Sequence, residues 1–104
     1  MFYMGYCCHM SGSKIFVSTE NTGRVLAKMN DFPYRFELDQ DGSIIGVCFI
    51  GHKLSDEYEA FQQAAPYILS GSYIEMRGDD GERWKWEFQN GVCKVVRTRQ
   101  YWSQ

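Results

Sequence analysis

The sequence predicts an α+β fold, with one antiparallel sheet built from the N-terminal strands, the hairpin 34–50 and the three-stranded meander 72–99 and two helices packed on one face, and three observations carry that prediction. From Ser72 onward apolar and polar residues alternate between glycine-containing turns. Two upstream segments repeat apolar residues at helical spacing. Hydrophobic residues make up 44% and aromatic residues 16%, enough to pack a core and too many for a disordered chain. At 104 residues there is room for one such core and not for two, so residues 1–104 are read as a single domain.

The stretch from Tyr3 to Met10 is rich in strand formers, and Ser11-Gly12-Ser13 interrupts it before Lys14-Ile15-Phe16-Val17. It reads as a β-hairpin or as one strand with a break. Thr22, Val25, Leu26 and Met29 then recur at helical spacing, which predicts a helix near 19–30 with Ser18 as N-cap. Asp31-Phe32-Pro33 ends it, because the residue before proline is pushed out of the helical region. Residues 34–50 read as a hairpin turning at Gln40-Asp41-Gly42. Its second strand, Ser43 to Ile50, is apolar with little alternation, which predicts a central strand covered on both faces. A second helix is expected near 55–69, capped by Ser55 and started by Asp56 and Glu57, whose carboxylates meet the positive end of the helix dipole. Its buried stripe is Tyr58, Phe61, Ala65 and Ile68. Pro66 must kink or separate the last turn, and Ser70-Gly71 closes it.

The meander 72–99 is the most legible part. A three-residue loop, Asp79-Asp80-Gly81, pairs Met76 with Trp84, Glu75 with Lys85, Ile74 with Trp86 and Arg77 with Arg83. The two-residue turn Asn90-Gly91 pairs Phe88 with Cys93, Glu87 with Lys94, Trp86 with Val95 and Trp84 with Arg97. Both registers agree on one apolar face of Ile74, Met76, Trp84, Trp86, Phe88, Cys93 and Val95, with Glu75, Arg77, Arg83, Lys85, Glu87 and Lys94 opposite. The expected core therefore sets that apolar face against Phe61 and Ile68. The spacing from Tyr34 through Asp41-Gly42 to Phe49 equals that from Tyr73 through Asp80-Gly81 to Phe88, which fits either a helix-hairpin duplication or hairpins that merely share turn residues.

Thirteen acids against eleven bases give a net charge of −2, which offers no bulk attraction for nucleic acid or anionic membrane. The first residues lack a basic n-region and no run is long enough to span a bilayer, so the expected location is the cytoplasm. No Cys-x-x-Cys pair occurs among Cys7, Cys8, Cys48 and Cys93, and Cys48 and Cys93 sit in apolar runs; they read as reduced core thiols rather than as disulfides or metal ligands. Neither a nucleophile elbow nor a phosphate loop nor a His-Glu-x-x-His motif is present, so no catalytic residue, metal or cofactor is expected. The weaker alternative is a dyad of a cysteine with His9 or His52.

Trp84-Lys85-Trp86 interleaves aromatic and basic residues as single-strand nucleic-acid binders do, but strand alternation sends the tryptophans and the lysine to opposite faces. The remaining basic face, Arg77, Arg83, Lys85 and Lys94, is the candidate binding site. Arg77 opposite Arg83 is an unfavourable pair that either a partner's acids relieve or Asp79, Asp80 or Glu82 neutralises by folding back.

Residues 64–88, Ala-Ala-Pro-Tyr-Ile-Leu-Ser-Gly-Ser-Tyr-Ile-Glu-Met-Arg-Gly-Asp-Asp-Gly-Glu-Arg-Trp-Lys-Trp-Glu-Phe, resemble the C-terminal signature of a family of small bacteriophage and mobile-element proteins. The preceding Gly51-His52-Lys53-Leu54-Ser55-Asp56-Glu57 is similar to what precedes that signature. The resemblance implies a genomic setting and no activity. Small phage-borne domains without catalytic residues often act by occluding a host protein, so the expected function is non-enzymatic protein binding, with inhibition of a host defence protein as one form of it. A small-ligand or nucleic-acid-binding module is the alternative.

Overall fold

The computed structural model describes residues 8–51, 57–79 and 81–98. Strand β1 (Cys8–Lys14) is followed by helix α1 (Thr19–Met29), the hairpin β2 (Tyr34–Leu38) and β3 (Ile44–Phe49), helix α2 (Glu57–Ala64), a 3-10 turn (Ala65–Tyr67), and the meander β4 (Ser72–Gly78), β5 (Arg83–Gln89) and β6 (Val92–Thr98). The fold is α+β. Four strands form an antiparallel sheet in the order β1-β4-β5-β6, while β2 and β3 make a two-stranded ribbon of their own rather than extending that sheet.

Turn chemistry fixes the meander. Asn90 and Gly91 both adopt positive φ, 52° and 79°, as a two-residue hairpin turn matched to the strand twist requires. Gly81 at φ 89° closes the first loop, where the Gly78 amide donates to the Glu82 carbonyl at 2.8 Å. All the expected partners are found, from Arg77 opposite Arg83 to Trp84 opposite Arg97. Ile74, Met76, Trp84, Trp86, Phe88 and Cys93 are buried and Val95 is half-buried. Phe61 of α2 lies over them with its ring centroid 4.8 Å from that of Trp86 and 5.7 Å from that of Phe88. Ile68 belongs to the same cluster.

Ser11-Gly12-Ser13 is no hairpin turn. It lies inside β1, where the register with β4 shifts between Met10 and Gly12, so the interruption is a β-bulge in one strand. Helix α1 buries Thr22, Val25 and Met29. Ser18 holds the extended N-cap conformation, but its side chain makes no capping bond; its carbonyl accepts from the Asn21 amide. Thr22 instead ties the helix to the hairpin loop by donating to the Gly42 carbonyl at 2.6 Å.

Three expectations need correction. First, the apolar run of β3 is not covered on both faces: Ile45 and Ile50 are 46% and 55% exposed, and Cys48 is exposed as well. The cause is that β3 belongs to a bulged two-stranded ribbon, with the register shift at Glu37/Leu38 turning Ile44 inward, and no layer covers its outer side among the described residues. Second, Tyr58 lies off the buried stripe at 54% exposure; α2 instead buries Glu57, Ala60, Phe61 and Ala64. Third, the hairpin 34–50 does not join the sheet of β1 and the meander but forms a two-stranded ribbon of its own; Glu57 opens α2 as expected and is fully buried there. Pro66 does separate the last turn, which runs as the 3-10 segment, and Gly71 at φ 93° follows it. Ser55, Asp56 and the strand formers before Cys8 lie outside the described residues. The two hairpins also differ in register: Tyr34 faces Phe49, whereas Tyr73 faces Glu87 rather than Phe88.

Candidate functional site

Residues directly opposite in adjacent strands share a face, so the sheet register assembles the candidate site row by row. His9, Arg77 and Arg83 form one row across β1, β4 and β5. Glu75, Lys85 and Val96 follow in the next. Lys14, Tyr73, Glu87 and Lys94 make the third. Arg77, Arg83, Lys85 and Lys94 therefore do lie on one face, opposite the tryptophans; Arg77 and Lys94 are exposed, Arg83 and Lys85 half-buried.

Among the described residues, Lys85 is the one of these four cations that forms an ion pair. Lys85 is held at home, with its ammonium 3.6 Å from the Glu87 carboxylate and 5.1 Å from the centroid of the Tyr73 ring. Arg77 and Arg83 are not. Of the loop acids that stand nearest in sequence, Asp79 lies 3.5 Å from His9 Nε2, and Glu82 receives Arg97 Nη1 at 3.1 Å. Asp80 lies outside the described residues. Among the described residues, no carboxylate forms an ion pair with Arg77 or Arg83. Near the Asn90-Gly91 end of the face a shallow groove of about 280 Å³ opens between Tyr73, Lys85, Glu87 and Gln89.

No family model matches this chain, and none of the curated proteins or solved structures compared with it matches either. Its site is read from its own geometry alone.

His9 and Lys14 were missed as members of this face because β1 joins β4 across most of the chain, as in the pairing of Cys8 with Gly78, and no turn sets that register. The alternation Cys8 buried, His9 exposed is the local signal that marks His9 as outward-facing once β1 is placed.

Only part of the dyad readings falls on described residues. His9 meets Asp79 on the sheet, Cys48 sits on the ribbon, and His52 and Cys7 lie outside the described residues. Among the described residues no group of His, Cys, Asp and Glu is arranged to hold a metal ion. Cys8 and Cys93 are buried core thiols as expected, and burial pushes the Cys93 thiol up to about 12. Cys48 is the exception, exposed and free. Under native conditions iodoacetamide should therefore alkylate Cys48 well ahead of Cys8 and Cys93, as peptide mass spectrometry would read; equal labelling of the three would contradict the packing.

A second polar feature lies inside. Tyr34, 7% exposed, donates its hydroxyl to the buried Glu57 carboxylate at 3.2 Å, and burial together with that carboxylate raises the Tyr34 pKa well above the ordinary phenol value. Glu57 is fully buried at the first turn of α2, so the pair pins that helix to β2 instead of facing a ligand.

Proposed function

We propose that the chain is a non-enzymatic interaction module that docks a protein through the outer face of β1, β4, β5 and β6. The observation that carries this reading is the pair of opposed arginines, Arg77 and Arg83, left without an ion-pair partner among the described residues while Asp79 lies against His9 and Glu82 pairs with Arg97. Like charges on directly opposite positions repel and weaken the sheet, so a partner that brings carboxyl or phosphoryl groups recovers free energy there.

A protein suits this face better than a nucleic acid does. Glu75 and Glu87 stand among the cations, and a continuous run of phosphates would meet them as repulsion, whereas a protein can present a complementary mosaic. The net charge of −2 adds no long-range pull on a polyanion. Trp84 and Trp86 are buried at 3% and 4% exposure and supply no stacking platform. The resemblance of residues 64–88 to small phage-borne proteins is the motive for taking a cytoplasmic host protein as that partner, a defence protein being the case in which occlusion alone suffices. No helix among the described residues is long and apolar enough to cross a membrane.

The test is capture from bacterial lysate on the immobilised chain, with wild type and the double reversal Arg77→Glu/Arg83→Glu compared side by side. A stoichiometric protein retained by wild type, released by rising salt and lost in the reversed variant is the expected result. Equal retention by both would reduce the face to a solvated surface, and retention of oligonucleotides in place of protein would favour the nucleic-acid alternative.

A further inference from the structure

We infer that the row His9-Arg77-Arg83 is the seat for a single phosphoryl group carried on a phosphorylated side chain of the protein partner. This inference rests on the docking reading above and names the chemistry of its strongest point.

The backbone sets the geometry. Because the Gly78 amide donates to the Glu82 carbonyl to close the loop, the next pair along the ladder, Arg77 and Arg83, is a non-hydrogen-bonded pair. In such a pair the Cα atoms approach to about 4.5 Å, the closest cross-strand spacing that antiparallel sheet provides. Side chains as long as arginine rooted on such a pair are able to bring both guanidinium groups to one point above the sheet. The amide and carbonyl of Arg77 point away from β5 toward β1, where His9 is its direct partner. The row therefore presents two planar forks and one imidazole in sequence.

Charge and donor number favour phosphate over carboxylate. A carboxylate has two oxygens and one charge, which a single guanidinium satisfies in bidentate fashion. The second arginine would stay uncompensated. A phosphate monoester carries a charge between about −1.5 and −2 near neutral pH and three acceptor oxygens, so it engages both forks at once and leaves one oxygen for His9. His9 meets Asp79 at 3.5 Å at the outer end of the row, with both side chains more than half exposed, so the imidazole is free to turn toward an arriving anion. Glu75 stands in the adjacent row, which limits the seat to one phosphoryl group and excludes a polyphosphate chain running along β4.

The probe is inorganic phosphate, titrated into the 104-residue chain at constant ionic strength while the arginine Nε–Hε resonances are followed by NMR. Saturable shifts at Arg77 and Arg83 are expected, weakened at least tenfold in Arg77→Gln and in Arg83→Gln and unchanged in Lys28→Gln, a cation on α1 remote from the sheet face. Shifts that grow linearly without saturating, or that acetate reproduces at equal concentration, would overturn the seat. Phosphatase treatment of the lysate before capture then separates the two readings. Loss of the captured protein is the expected result, while undiminished capture that still depends on Arg77 and Arg83 would overturn the phosphoryl inference and leave the docking face standing.

Discussion

Trp86→Ala should cost the domain about 3–5 kcal/mol, the largest single loss expected from any side chain in the sheet. The indole is 4% exposed and lies between Ile74 and Val95 of the flanking strands, with Phe61 of α2 at 4.8 Å above it and Trp84 edge-on at 6.3 Å. Truncation removes the transfer free energy of the indole and opens a cavity beneath α2 that the aromatic rings on either side can only partly fill. Small domains are stable by about 5–15 kcal/mol, so the variant loses a large fraction of its margin. Urea denaturation reads it as a lower midpoint with an unchanged slope. A midpoint equal to that of wild type would mean that Trp86 faces solvent, and the alternating aromatic and basic residues of β5 would again become a stacking surface.

The meander was legible because its information is local. Asn90-Gly91 and Asp79-Asp80-Gly81 each fix a register within a few residues, and once fixed, alternation sorts the strand residues from Ser72 to Val95 between core and surface, Arg97 opposite Trp84 being exposed at the end of β6. β1 carries no such marker. Its partner is β4, chosen by long-range packing and shifted by a bulge at Met10/Gly12, so only its strand character could be read in advance. The ribbon failed for a different reason. Ile44, Ile45, Val47, Cys48, Phe49 and Ile50 are apolar enough for a doubly covered strand, but hydrophobicity states what a strand tolerates and not how many layers the rest of the chain supplies. With four strands and both helices committed to the main core, Ile45 and Ile50 stay exposed.

The candidate site was legible in the same measure. Arg77, Arg83, Lys85 and Lys94 follow from two turns, whereas which of them is neutralised depends on side-chain geometry that periodicity does not contain. Asp79 and Glu82 were equal candidates to quench the arginines, and the fold sends one to His9 and the other to Arg97. At Glu57 the sequence marked the helix start but not its burial. An acidic residue in the first turn of a helix is ordinarily a solvated partner of the dipole, and only the position of Tyr34 across the interface turns it into a buried acceptor.

Tyr34→Phe should expose that arrangement through its dependence on pH. The phenol donates to a carboxylate that has left water entirely, so deleting the hydroxyl removes a buried hydrogen bond to a charged acceptor and costs about 1–3 kcal/mol near neutral pH. The Tyr34 pKa is raised in the folded state, by burial first and by Glu57 second. An unfolded chain gives up its phenolic proton near pH 10 while the folded chain keeps it, so the unfolded state binds fewer protons and wild type loses stability as pH rises above about 10. For one such group the loss approaches about 1.4 kcal/mol per pH unit. The stability contributed by the protonated phenol is thus fully present below about pH 10 and declines above it, whereas the Tyr34→Phe variant has no phenolic proton to lose at that position. Denaturation midpoints for both proteins between about pH 8 and 11 should give a gap that is constant to about pH 9.5 and narrows steadily beyond it. A gap that stays constant over the whole range would place the Tyr34 hydroxyl in solvent and remove the clamp between β2 and α2.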